Sequence, residues 1–433
     1  QSACLTSRMS GVQIPHRPQK LAHDFHGLFL FTLIYIIAMK VSFGIASMII
    51  GLSVSTAFAQ IPDSLKTFTS IEEAAKNPEA VRTLRVNRYD KDVFPSEVLK
   101  MKNLRIFAIR GGKYQSIPSG LGQLSQLKIL QIENSQITEI SDEIGKLEEL
   151  TQLNLQSNKL VKLPSGITKL SKLTMLNLSN NMMSDLPSNL SGLSSLVDLN
   201  MANNKLSALP EDIGNLPQLR TLNVRGNQLA SVPKSLSASK SLVTLDLSSN
   251  KLTNLSGISA LSKLENLDVS SNNIAKIDDA LFDLPELKVI NVSGNSLQSM
   301  PQTISKAQKL RSLNASKNQL TQLPSSLAEL KQLDMIDFSE NSIKEVPESI
   351  GNLENLLTID LGKNNLKTIP GSIGKLTKLR SLDLSDNPLE SLPVKELIKL
   401  HNLKKFLFFQ SPPEAKKEQG KNPADAKPVG DKK

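Results

Sequence analysis

From about residue 81 to residue 400 the apolar residues fall in one recurring frame of 23 positions. The stretch 150–172, "LTQLNLQSNKLVKLPSGITKLSK", shows a single unit. Leu153 and Leu155 alternate with polar neighbours, the period of a strand, so both point to one side. Leu150, Leu160, Leu163, Ile167 and Leu170 fill the rest of one layer. A single layer of this kind cannot bury itself, whereas layers stacked ~4.8 Å apart can. An asparagine follows the strand at Asn158 and recurs at Asn181, Asn204, Asn227, Asn250, Asn272, Asn295, Asn318, Asn341, Asn364 and Asn387. Each step is 23 residues except that from Asn250 to Asn272, which is 22. Stepping back gives Ser135, Gly112 and Tyr89 with the apolar frame intact, and a weaker unit follows at Ser411. Fourteen full units predict fourteen parallel strands, a sheet ~65 Å long along its curve at that spacing.

Six residues after the Asn position stands a proline, at 95, 118, 164, 187, 210, 233, 301, 324, 347, 370 and 393. Proline has no N–H and disfavours strand pairing, so it is expected to open the return segment on the opposite side. Three units lack it: Ser141 and Asp278 take its place in two, and the shortened unit reads "NLSGI" at 254–258. A change of local curvature is expected around residues 250–285. Directly after the strand, each Asn is expected to turn inward and bond backbone groups of its own and the adjacent unit, a structural ladder.

The whole pattern, "LxxLxxLxLxxNxLxxLPxxIxxL", resembles the 23-residue class of leucine-rich repeats found in Scribble- and Ras-suppressor-type scaffolds and in many bacterial repeat proteins. The resemblance covers most of the chain. It implies an α/β solenoid: a curved horseshoe with a concave parallel β-sheet and an irregular or short-helical convex side. It is specific for fold and says little about function.

The flanks divide the chain further. Residues 1–38 show no pattern connected to the rest and read as an untranslated or non-native extension. From Met39 runs "MKVSFGIASMIIGLSVSTAFAQ": a lysine, an apolar core and an A-x-A end at Ala57–Ala59. That is the order of a secretory signal peptide, 39–59. The alternative is a membrane anchor through residues 28–59, since "LFLFTLIYIIA" precedes it. Residues 60–80 are expected to form a helical cap, with Thr69 or Ser70 and then Glu72 and Glu73 as its start signal and Asn77-Pro78 as its end. The solenoid with its C-terminal cap spans 81–410, with Phe406 and Phe408 expected to point into the last layer. A disordered basic tail occupies 411–433, charged and free of large apolar side chains.

Composition narrows the chemistry. The chain carries a net charge of +10, with aromatic residues at 4% and no Trp. Base-stacking side chains are nearly absent, so nucleic acid is not an expected partner. The single cysteine, Cys4, excludes an intramolecular disulfide. Extracellular animal members of the family often use disulfide-bonded caps, so their absence points to a bacterial member. After residue 59 the only histidine is His401, which leaves no His/Cys metal set and no ordinary nucleophile–base pair in the repeats. No catalytic residue, metal ligand or cofactor is expected, and the chain is not read as an enzyme.

Binding in a solenoid uses the strand positions that face outward: one, two, four, six and seven residues before the Asn position. In the first three units these include Arg82, Arg85, Arg88, Arg105, Arg110 and Lys128, against Glu133. Late units place Asp337, Asp360 and Asp383 on successive strands, where like charges raise one another's pKa or recruit a cation. The position four before the Asn is a repeat column of Asn or Asp, so its acids also read as merely solvated. The leading expectation is a non-enzymatic binding scaffold outside the cytoplasm, periplasmic or secreted. Its partner is a protein, peptide or glycan held on the concave sheet, and a weak contact with an anionic envelope surface is added by the tail. A monomer is expected. The alternative is an intracellular signalling regulator resembling the Ras-suppressor scaffolds.

Overall fold

The computed structural model describes residues 66–409. The expected extension (1–38), signal or anchor segment (28–59) and basic tail (411–433) lie outside the described residues. Sixteen strands form one sheet whose order follows the chain. Every neighbouring pair is parallel, from Thr67–Phe68 at one end to Lys405–Leu407 at the other. The expected repeat strands are there, flanked by one short strand before them and one after.

Register follows directly from the repeat. Leu153 pairs with Leu176, Leu176 with Leu199 and Leu222 with Leu245, so each leucine column stacks on itself. These side chains are almost fully buried, and the column two residues on (Leu155, Leu178, Met201, Val224, Leu247) is buried completely. Burying such a side chain stabilises the fold by roughly 1.5–3 kcal/mol, but only when the neighbouring layer is present to cover it. Larger side chains enter this frame at Phe107, Phe282 and Phe338, all fully buried.

Strand length is set by one side chain per unit. Beginning with Asn154, the residue four before the ladder Asn turns its Oδ1 back to accept the backbone N–H two residues on. Gln156 donates to Asn154 at 3.1 Å, Ser179 to Asn177 at 3.0 Å, Ser248 to Asp246 at 2.9 Å and Ser385 to Asp383 at 3.0 Å. This local bond takes the donor that would extend the ladder. These strands are three residues long, as in Gln152–Asn154 and Ser381–Asp383. The first three units carry Arg85, Ala108 and Gln131 at that position and lack the bond. Their strands run on, as Thr83–Tyr89, Ile106–Gly111 and Ile129–Glu133. The Asn/Asp column is therefore not a freely solvated one: Asn154, expected to face outward, is 6% exposed.

After the strand the chain turns through one residue with positive φ, such as Ser157 (58°), Asn180 (57°), Gly226 (66°) or Asp386 (54°). The next residue is the ladder Asn. Asn158 Nδ2 reaches the carbonyls of Ile132 at 2.8 Å and Leu155 at 3.0 Å, and its Oδ1 accepts the Ile137 N–H at 3.3 Å. Two of those three partners belong to the preceding unit. Asn181, Asn204, Asn250, Asn272, Asn318 and Asn387 repeat the arrangement, as do the remaining members.

The return side carries short 3₁₀ turns, usually with the proline directly ahead, for example Pro164 before Ser165–Lys169 and Pro370 before Gly371–Lys375. Ser141 and Asp278 substitute for proline with nearly the same backbone angles. The turns stack closely: a Cβ on Gly214 would stand 2.0 Å from the Ser235 carbonyl oxygen of the next unit. The unit after Pro187 has no 3₁₀ turn, because Asn189 Oδ1 accepts the N–H of Ser191 instead. In the 22-residue unit Gly257, at φ 86°, shortens the turn to Ile258–Ala260.

At the amino end helix α1 (Ile71–Ala75) covers the first layer with Ile71 and Ala74, and Ser70 caps it by accepting the Glu73 N–H at 3.2 Å. At the other end helix α2 (Val394–Leu397) packs on the last 3₁₀ turn. Phe408 does not enter a closed layer there; it is 54% exposed, and among the described residues no further unit covers it.

Asn158→Ala leaves the Ile137 N–H and the Ile132 carbonyl unpaired between buried leucine layers, while the Leu155 carbonyl keeps the Asn181 amide. Equilibrium unfolding in urea is expected to show a loss of roughly 2–4 kcal/mol. An unchanged midpoint would contradict the assigned role.

Candidate functional site

The outward columns of the sheet form the candidate binding face, and its two ends differ in chemistry. At the amino end Arg85, Arg110, Asn87, Gln131 and Glu133 surround a shallow depression of about 160 Å³, floored by Val86, Ala108 and Ile109. Arg88, Arg105, Arg110 and Lys128 are exposed and Arg85 is half-buried. Arg82 differs from the rest: its guanidinium donates to the Glu79 carbonyl at 2.6 Å, which the Asn103 amide also reaches at 2.9 Å. It ties the cap to the first units and is the least available of the set.

The long strands of this region rest on an aromatic group in place of the Asn ladder. Tyr89 and Tyr114 meet edge-to-face at 5.9 Å, as do Phe94 and Tyr114 at 5.6 Å and Phe94 and Phe107 at 6.1 Å. Ser135, in the ladder position, donates to the Gly111 carbonyl at 2.5 Å. Burial pushes the Tyr114 hydroxyl up to about 12, so it stays a neutral phenol beside the Ser135 hydroxyl. Sequence reasoning kept the frame of these units but missed this group. The available signal was the concentration of Tyr89, Phe94, Phe107 and Tyr114 in an aromatic-poor chain.

Elsewhere on the surface most ion pairs join residues one repeat apart. Lys172 meets Glu149 at 2.5 Å, Lys288 meets Glu265 at 2.9 Å, Lys309 meets Glu286 at 2.6 Å and Arg311 meets Asp334 at 2.8 Å. At exposed positions such as these, screened by water, a pair adds little to stability. Among the described residues, none of Arg85, Arg88, Arg105, Arg110 and Lys128 takes part in a salt bridge.

At the carboxyl end Asp337, Asp360 and Asp383 lie on paired strands in direct register. Each is half-buried and accepts the backbone N–H of Ser339, Gly362 or Ser385. Asp246 and Asp268 form a second in-register pair, 4% and 3% exposed. Among the described residues, no group of three His, Cys, Asp or Glu side chains is placed to hold a metal ion. Burial, then the neighbouring Asp337 carboxylate, pushes Asp360 up to about 7, and burial also raises Asp337. Burial raises Asp246 as well, with the Asp268 charge adding to it.

The raised carboxyl of Asp360 makes the late units sensitive to pH. Below the ordinary carboxyl value of 3.8, folded and unfolded states are both largely protonated. Between there and about 7 the unfolded chain ionises while the folded one resists, so stability falls as pH rises. Asn fits the same column and accepts the same N–H, as Asn154 and Asn314 do. Thermal unfolding of Asp360→Asn should match the parent near pH 4 and exceed it at pH 8, by on the order of 1–3 kcal/mol. A gain that is the same at both pH values would refute the assignment.

Comparison with known proteins gives this architecture its family. A family model described as a leucine-rich repeat region matches residues 80–205 and 298–422, and a second, described as a leucine rich repeat, matches 187–229, 217–274 and 262–320. Among curated protein sequences none matches. Of solved structures, a leucine-rich repeat protein of Leptospira interrogans is similar at 28% identity and TM-score 0.64, over 78% of this chain and 99% of that one. An internalin from Listeria monocytogenes shares the fold at 24% identity and TM-score 0.65, over 78% and 93%. The ectodomain of the membrane receptor kinase GASSHO1/SCHENGEN3 from Arabidopsis thaliana, in complex with CASPARIAN STRIP INTEGRITY FACTOR 2, is similar at 25% identity and TM-score 0.51, over 79% and 52%. Family models spanning more than half of the chain, over a sheet built one strand per repeat, show that it belongs to the leucine-rich repeat proteins.

Proposed function

We propose that the chain is a non-enzymatic scaffold of the 23-residue repeat class that holds a protein or peptide partner on its sheet face, with the arginine-rich amino end as the principal contact. The observation that carries this reading is the unpaired charge. Arg85, Arg88, Arg105, Arg110 and Lys128 stand on or just before three adjacent strands at one end of the sheet and, among the described residues, form no salt bridge, with Glu133 as the one acid in register beside them. Strand register sets these residues beside one another on one face, and guanidinium groups favour carboxylates of a partner. The Arabidopsis ectodomain, which has the same fold, is seen with a bound factor. For the acidic late units, the backbone bonds of Asp337, Asp360 and Asp383 favour a structural role over cation binding.

The proposed location is outside the cytoplasm of a bacterial cell. It rests on the basic–apolar–A-x-A order of residues 39–59 and on the lack of any cysteine that could staple an animal-type cap. Among the described residues no helix is long and apolar enough to cross a membrane. Mass determination of the mature amino terminus separates this reading from the intracellular one: Gln60 supports it, and an intact terminus upstream of residue 39 contradicts it.

Immobilised protein should retrieve an acidic partner from an extract of its own organism, with retention falling as salt rises. Arg85→Glu with Arg110→Glu should weaken that binding on the order of tenfold or more, with little change in melting temperature. Undiminished binding, or a large drop in melting temperature, would count against these arginines as the contact.

A further inference from the structure

The two ends of the sheet are finished differently. The first layer lies under α1. Among the described residues nothing lies over the last. Phe408 stands in the column of Phe338, Leu361 and Leu384, which are at most 1% exposed, yet it is itself 54% exposed. It stacks on Phe406 at 5.0 Å. Phe409, Ile398 and Val394 of the same terminal unit are exposed as well. Among the described residues the backbone is equally open. Lys405 N–H donates to Arg380, while the carbonyls of Leu407 and Phe409 accept from Leu384 and Asp386, so these residues bond inward. Strand backbone groups alternate in direction, so those of Phe406 and Phe408 face the open edge. An apolar edge strand with free donors and acceptors is a template for another strand.

We propose that this edge pairs with the same edge of a second copy of the chain, antiparallel about a twofold axis at Leu407. Phe406 and Phe408 flank Leu407 by one residue on either side. The twofold therefore sets Phe406 of one copy against Phe408 of the other, on the core face, and does so twice. As a hydrogen-bonded pair they exchange both of their free backbone bonds. Lys405 and Phe409 flank Leu407 by two residues, so each ammonium meets a ring on the opposite face and not another ammonium. Moving the axis to Phe406 would set Lys404 opposite the core-facing Phe408. The register at Leu407 keeps apolar side chains together and joins the two cores. A lipid surface could cover the phenyl rings but would leave the outward backbone groups unmatched. The inference departs from the monomer expected from sequence and is independent of what binds the arginine-rich face.

The test uses the full chain with Cys4→Ser, so that introduced thiols stand alone. In the paired edge Leu407 faces its own copy at a non-hydrogen-bonded position, where Cα atoms are ~4.5 Å apart, within disulfide reach. Leu407→Cys should give a disulfide-linked dimer on mild oxidation, while Lys405→Cys, which faces Phe409, should not. Sedimentation velocity should show a dimer at micromolar concentration for the parent and a monomer for Phe408→Lys. A parent that stays monomeric, a dimer that persists in Phe408→Lys, or equal cross-linking of both cysteine variants overturns the proposal. A monomer that sediments with phosphatidylglycerol vesicles also overturns it, in favour of a lipid contact.

Discussion

The structure depends on a primary amide placed once per unit at the point where the chain leaves the sheet. There the backbone must turn, and the donors and acceptors it exposes lie in a dry interior between leucine layers. An unpaired group in that setting costs ~1–3 kcal/mol. Asn is short enough to stay under the turn while offering two donors and an acceptor, where a hydroxyl such as that of Ser135 has a single proton to donate. Since Asn158 reaches back to Ile132 and Ile137, each amide satisfies the unit before it as well as its own. No unit is complete without the next, and the core is cooperative because its polar groups are shared, not only because its leucines touch.

That sharing explains how the face can specialise. The inward frame leaves the outward columns free, apart from the Asn/Asp column that ends each strand. The first three units give up both the strand-ending bond and the ladder amide. Tyr89, Phe94, Phe107 and Tyr114 hold the layers there instead, and the longer strands carry the arginines in register. Structural departure from the repeat and the cluster of unmatched charge coincide in the same residues.

The fold was legible because a 23-residue period fixes strand register without any knowledge of the turns: Leu153 can stack on Leu176 in only one way. The Asn positions were legible for the same reason. Less legible was the column of Asn154 and Asp360. Alternation alone assigns these side chains outward, and nothing in the period says that they fold back on the N–H two residues ahead. Burial of Asp246 and Asp268 escaped for that reason too. The open last layer was also missed, since a sequence pattern places Phe408 in the core column but cannot show that, among the described residues, no neighbour closes over it. The arginines were found by counting charges; their lack of partners required coordinates.

Native-state amide hydrogen exchange tests the shared-amide account most directly. The N–H groups of Leu160, Leu206 and Leu229 lie beyond the strands and donate to the amide oxygens of Asn181, Asn227 and Asn250 in the following unit. If the ladder binds the units into one core, these three protons should exchange as slowly as those of the strand residues Leu176 and Leu222. Exchange at the rate of the exposed turns, with the strands still protected, would contradict it.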